Sequence, residues 1–168
     1  MGPDLSGELH AAASAVLTIC RARGLTLATA ESCTGGLVAG ALTDIAGSSD
    51  VVDRGFVTYS NEAKQEMLGV PADTLKIFGA VSRETAEAMA RGVLSHADVD
   101  LAVAITGVAG PGGGSKDKPV GLVHFTIASR GGALAHKEMR YGDIGRLLVR
   151  HKSVLQALAM LGAMAETQ

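Results

Sequence analysis

The chain has 168 residues, 47% of them hydrophobic but only 3% aromatic, with 22 glycines and no Trp. That is enough Ala, Val and Leu for one domain with a single substantial core, without disulfides or metals. A formal net charge of −2 and the shortage of stacking aromatics exclude a general nucleic-acid binder.

In chain order, residues 5–23 predict an amphipathic helix ended by Gly24. Residues 25–30 read as a strand and 34–43 as the helix after it, with Glu31, Ser32 and Cys33 between them. A turn at 46–49 leads to a second strand, 51–59, interrupted by Asp53 and Arg54. Ser60 caps a short helix, 61–68, and another helical piece covers 71–78. Ser82 caps a longer helix, 83–96, whose Ala86, Met89, Ala90, Val93 and Leu94 form one apolar stripe. Residues 100–105 make a nearly continuous apolar strand, of the sort buried on both faces of a sheet. A glycine-rich loop, 106–119, follows. Strands 120–129 and 133–141 are joined as a hairpin through Arg130, Gly131 and Gly132, and a long helix, 143–165, closes the chain. Strands mixed with helices, plus one hairpin, predict a single α/β domain over 1–168. Its expected form is a three-layer α/β/α sandwich with a mixed, mostly parallel sheet.

Cys20 and Cys33 lack metal-type spacing and fit a reducing compartment. Asp4 and Glu8 stand where a secretory signal needs an apolar core, and the uncharged stretch 101–115 is too short to span a bilayer. A cytoplasmic protein with no membrane partner is expected.

The strand–turn–helix passage around Ser32 favours an anion or a developing oxyanion, because a helix start exposes N–H groups. Thr34, Gly35 and Gly36 would supply those groups, with Ser32 at the mouth. Ser32 is either a helix cap or a nucleophile. Cys33 is a rival nucleophile, unless it is the commoner buried, inert thiol. A serine needs a base, and neither G-x-S-x-G nor S-x-x-K surrounds Ser32. Lys64, close to Tyr59, begins a helix, and both that position and burial would favour a neutral amine able to take the serine proton. The alternative is a surface lysine beside Glu62 or Glu66. Thr106 and Gly107 end the buried strand, where ligands sit in open α/β sheets.

The glycine run 110–114 matches neither phosphate motif. Ser115 precedes Lys116 where a P-loop needs glycine, and G-x-G-x-x-G fails at the same residue, so ATP and NAD are excluded in those modes. Arg146 and Arg150, four apart on one helix face, suit a phosphate monoester or a solvated basic face. The five histidines form no HxH or HExxH pattern, and His124 and His136 read as structural strand positions. No metal and no cofactor are expected. Glu31, Asp44 and Asp53 read as scattered carboxylates, without a catalytic pair.

Longer motifs then stand in order. They are Glu31-Ser32-Cys33-Thr34-Gly35-Gly36, Asp44-Ile45-Ala46-Gly47-Ser48-Ser49, and Gly55-Phe56-Val57-Thr58-Tyr59-Ser60-Asn61-Glu62-Ala63-Lys64. Gly79-Ala80-Val81-Ser82, Thr106-Gly107-Val108-Ala109-Gly110-Pro111 and Lys118-Pro119-Val120-Gly121 continue the series. This order resembles the CinA C-terminal domain family, also called nicotinamide-nucleotide amidase, across nearly the whole chain. The resemblance implies a metal-free amidohydrolase that converts nicotinamide mononucleotide and water to nicotinate mononucleotide and ammonia, in pyridine-nucleotide salvage. It also implies the three-layer α/β/α fold. The family's nucleophile falls on Ser32, its Tyr and Lys on Tyr59 and Lys64, its strand-end hydroxyl on Thr106, and its substrate arginine on Arg146 with Arg150 beside it. The family's Gly-Asp-Arg appears here as Gly142-Asp143-Ile144-Gly145-Arg146, with two extra residues. Some relatives carry a further N-terminal domain, which this sequence is not expected to contain. The partner implied is a small nucleotide substrate, with no direct nucleic-acid binding. The Ala- and Gly-rich composition suits a homo-oligomer. Two rival functions stand beside this one: a non-catalytic nucleotide-binding module, and an interaction protein associated with competence or DNA damage.

Overall fold

β1 (Leu27–Glu31) and β3 (Leu101–Gly107) run in parallel at the heart of a five-stranded sheet. In the computed structural model, which describes residues 5–168, the strand order is β2-β1-β3-β4-β5. Here β2 is Val52–Val57, β4 is Leu122–Ser129 and β5 is Leu134–Arg140. β1 pairs in parallel with β2 and β3, while β4 runs antiparallel to both β3 and β5. Four strands therefore point one way and β4 alone the other, which is the mixed, mostly parallel arrangement expected. Asp4, which bears on the expected absence of a secretory signal, lies outside the described residues.

Side-chain size decides which helices cover which face. The odd positions Leu27, Leu101, Val103, Ile105, Val123, Phe125 and Ile127 are large. They pack under α1 (Leu5–Arg23), α2 (Leu37–Thr43) and α6 (Arg146–Glu166). The even positions Ala28, Ala30, Ala102, Ala104 and Ala128 are small and lie under α3 (Asn61–Leu68), α4 (Ala72–Phe78) and α5 (Arg83–His96). Successive strand residues face opposite sides, so this alternation is what creates the two apolar layers. Small residues on one face let α5 approach the sheet. A second close approach seats α3 on α5: a Cβ added at Gly92 would stand 2.2 Å from the Leu68 carbonyl oxygen.

The caps fall where expected. Ser60 accepts the Ala63 N–H at 3.0 Å, and Ser82 accepts the Thr85 N–H at 3.1 Å. Two helices start later than the apolar pattern predicts. α2 begins at Leu37 rather than 34, because Gly35 and Gly36 take φ of +59° and +105°, outside the right-handed region. α6 begins at Arg146 rather than 143, after Gly145 at φ +96°.

Candidate active site

Parallel strands bring their carboxyl ends to one edge of the sheet. The chain leaves β1 toward β2 on one side, and β3 lies on the other, so the order reverses between β1 and β3. That is where open α/β sheets form their crevices. Ser32 follows β1 directly, and its N–H extends the ladder to the Ile105 carbonyl at 2.9 Å. Alternation then sends Glu31 toward α2 and Ser32 toward the opposite face, where α3 lies.

A single rung fixes the partner of Ser32. The Thr58 N–H donates to the Glu31 carbonyl at 2.9 Å, and the Thr58 carbonyl accepts from Lys64 Nζ at 2.8 Å. Lys64 Nζ lies 3.0 Å from Ser32 Oγ. Lys64 is only 1% exposed and Ser32 8%. Burial lowers the Lys64 amine below the ordinary lysine range. Among the described residues no carboxylate pairs with it. Lys64 Nζ donates to the Thr58 carbonyl and to Ser32 Oγ; once neutral, the amine can turn its lone pair to the serine hydroxyl instead. A surface lysine partnered by Glu62 or Glu66 is therefore ruled out.

Ser32 is not a helix cap, and the Cys33 thiol, though it borders the cavity, is held protonated. The N-cap of α2 is Gly36, with no side-chain hydrogen bond, so Ser32 leaves that helix uncapped. Cys33 is buried, and burial pushes its thiol up to about 12, which keeps it protonated and poorly reactive.

A cavity of about 270 Å³ opens in front of the Ser32–Lys64 pair. Ser32, Cys33, Lys64, Tyr59, Thr106 and Arg146 line it, together with Gly107 and the glycine loop after β3. The Thr106 hydroxyl donates to the Ala80 carbonyl at 2.8 Å, so its oxygen faces a ligand only as an acceptor. Arg146 donates from Nη1 to the Gly110 carbonyl at 2.8 Å and from Nη2 to the Tyr59 oxygen at 3.2 Å. The guanidinium thus joins the glycine loop to the residues after β2.

Thr34, Gly35, Gly36 and Arg150, expected to bind substrate, do not line the cavity. The anion expected at the start of α2 is the chain's own. Glu31 Oε1 accepts the Val38 N–H at 2.8 Å and Oε2 the Ala39 N–H at 3.0 Å. The Gly35 N–H donates to the Ser32 carbonyl at 3.0 Å, which closes the turn rather than serving an oxyanion. Arg150 donates from Nε to the Cys33 carbonyl at 3.2 Å and from Nη2 to the Thr34 carbonyl at 3.4 Å. Glu31 reads in the sequence as a scattered carboxylate; its signals are its place at the head of the Glu31–Gly36 motif and its position one residue before Ser32, on the opposite face. His124 Nδ1 and His136 Nε2 lie 3.0 Å apart as neighbours on the hairpin, and among the described residues no third ligand forms a metal group with them.

The family model of the CinA C-terminal domain matches residues 9–165. The chain belongs to that family. A CinA-like protein of Synechococcus sp. (strain RCC307) is 54% identical over 150 residues, covering 89% of this chain and 36% of that protein. The chain spans about a third of the length of this and similar CinA relatives. The nicotinamide-nucleotide amidohydrolase PncC of Escherichia coli (strain K12) is 53% identical over 142 residues, covering 84% of this chain and 85% of that one. The crystal structure of the competence/damage inducible protein CihA from Agrobacterium tumefaciens superposes with a TM-score of 0.92 at 57% identity, covering 97% of each chain. No helix among the described residues of this CinA domain is long and apolar enough to cross a membrane.

Proposed function

We propose that this CinA domain hydrolyses the carboxamide of nicotinamide mononucleotide, with Ser32 as nucleophile and Lys64 as its base. The observation that carries the reading is the 3.0 Å contact between a buried amine and a hydroxyl at a cavity floor. Support also comes from relatives of similar length that are named for this amidohydrolase activity.

Lys64 takes the Ser32 proton as Oγ attacks the carboxamide carbon. The same amine, now protonated, delivers that proton to the departing nitrogen, which leaves as ammonia. The ester left on Ser32 is hydrolysed by a water that Lys64 deprotonates, releasing nicotinate mononucleotide. Thr106 accepts from the carboxamide N–H groups and turns the carbonyl toward Ser32. At about 270 Å³ the cavity is smaller than the usual drug-sized site, so the ribose phosphate extends to the mouth. Arg146 stands there and exchanges its contacts with Gly110 and Tyr59 for the phosphate.

The test is ammonia release from nicotinamide mononucleotide by the full chain and by Ser32→Ala. Loss of at least about 1000-fold in the variant, with an unchanged melting temperature, is expected for removal of a nucleophile. Unchanged turnover in the variant removes Ser32 from the mechanism. Tight binding of the mononucleotide by the wild-type chain without ammonia, across several pH values, favours the non-catalytic module instead. The same reading takes the protein as cytoplasmic and homo-oligomeric, without direct nucleic-acid binding. Light scattering across the micromolar range and filter binding at low salt check the last two points.

A further inference from the structure

The turn that carries Ser32 is held from two sides by charged groups that never reach the cavity. Glu31 is 1% exposed, and each of its carboxylate oxygens accepts one of two successive N–H groups, from Val38 and Ala39. Arg150 reaches the same turn from α6 and donates to the two successive carbonyls of Cys33 and Thr34. The side chain packs so closely that a Cβ on Gly35 would stand 3.2 Å from Arg150 Nη2. One group therefore grips N–H groups after the turn and the other grips carbonyls within it.

We propose that Glu31 and Arg150 are positioning residues for Ser32, bracing the turn 32–36 so that Oγ stays against Lys64 Nζ. The proposal rests on the reading of Ser32 as nucleophile. Neither residue touches substrate. Both act through the backbone on either side of the hydroxyl, where the left-handed Gly35 and Gly36 leave the turn little beyond the Gly35 N–H to Ser32 carbonyl bond to hold its shape. A carboxylate is needed at 31 because two acceptors must meet two donors. A glutamine would set its NH2 against one of those N–H groups. A guanidinium is needed at 150 because one planar fork must serve two carbonyls.

The experiment uses the full chain and the variants Glu31→Gln, Arg150→Met and Arg150→Lys. Ammonia release, Ser32 labelling by a fluorophosphonate followed by intact mass, and melting temperature are measured, and crystal structures of the variants are solved. For Glu31→Gln and Arg150→Met, kcat is expected to fall about 100-fold, the scale of a 1 Å misplacement. KM should stay within about threefold, as for a loss confined to the chemical step. Labelling should slow by the same factor as kcat, and the pH at which kcat rises should stay in place, because burial, which lowers the Lys64 amine, is left intact. Arg150→Lys should recover part of the loss. Labelling at the wild-type rate in both variants overturns the proposal. So does a raised KM with unchanged kcat in Arg150→Met, which would make Arg150 a substrate ligand. Should Glu31→Gln fail to fold, Arg150→Met decides alone. If the wild-type chain releases no ammonia, the functional reading fails. The brace is then judged by the Ser32 Oγ to Lys64 Nζ distance in the Arg150→Met structure: lengthened if the proposal holds, unchanged if it does not.

Discussion

Lys64 and Ser32 are 32 positions apart in the chain, yet their nitrogen and oxygen lie 3.0 Å apart through one peptide of β2's continuation. Thr58 binds the Glu31 carbonyl with its N–H and the Lys64 amine with its own carbonyl. Glu31 is covalently joined to Ser32. The pair is thus a property of the sheet, not of two flexible side chains finding each other.

The first consequence is a pH dependence. The proposed mechanism requires neutral Lys64, whose amine is held below the ordinary lysine range by burial. The kcat profile should rise with pH on a single limb lying below about 10.4, the value for a free lysine. Lys64→Met should lose at least about 1000-fold in kcat and the limb with it. Stability carries the same sign. In the alkaline range below that free-lysine value the unfolded chain binds more protons at Lys64 than the folded one, so this residue's contribution to stability rises with pH, by about 1.4 kcal/mol for each unit separating the two. Thermal melts from neutral to alkaline pH should show the wild type gaining on Lys64→Met as pH rises, while the raised thiols of Cys20 and Cys33 pull both proteins the other way. Parallel slopes in the two proteins would contradict a depressed amine.

In the proposed mechanism Arg146 serves binding rather than chemistry. Losing a charge-assisted contact to a phosphate is worth about 1.5–3 kcal/mol, so Arg146→Ala should raise KM for the mononucleotide about 10- to 100-fold with little change in kcat. Nicotinamide riboside, which lacks the phosphate, should be hydrolysed equally by variant and wild type. A KM unaffected by the substitution would move the phosphate elsewhere.

The hairpin should weaken in acid. His124 is held below the ordinary imidazole range by burial first and then by His136 beside it, with Lys118 acting the same way and Glu138 and Glu84 opposing. His136 is lowered by burial and by Arg83, against Glu87, Glu138 and Glu84. Below about pH 6.5 the unfolded chain therefore binds more protons at these positions, and stability falls as pH drops. Urea midpoints at pH 7.5 and 5 should differ more in the wild type than in His136→Gln. An identical difference in both would remove the pair as the cause.

Much of this molecule is legible in its residues. Ser60 and Ser82 announce their helices, and the unbroken apolar run before Thr106 marks a central strand whose end must meet a ligand edge. The motif resemblance placed Ser32, Tyr59, Lys64, Thr106 and Arg146, and all five meet at one cavity. Glu31 was not legible, because both faces of β1 are buried and hydropathy cannot say which neighbour a carboxylate turns to. The place of Arg150 is hidden for a related reason. One helical turn separates it from Arg146, so spacing alone assigns both to one ligand, whereas the carbonyls of Cys33 and Thr34 take the second. The late start of α2 depends on left-handed glycines, whose φ no residue pattern reports.

The missing side chain at Gly92 reaches further than the packing it permits. Lys64 rides on α3, and α3 can rest on α5 only while nothing larger than hydrogen faces the Leu68 carbonyl. A single methyl at that point would lever the helix away from the sheet and draw the amine off its hydroxyl. A glycine outside the cavity thus helps to set the spacing of the Ser32–Lys64 pair.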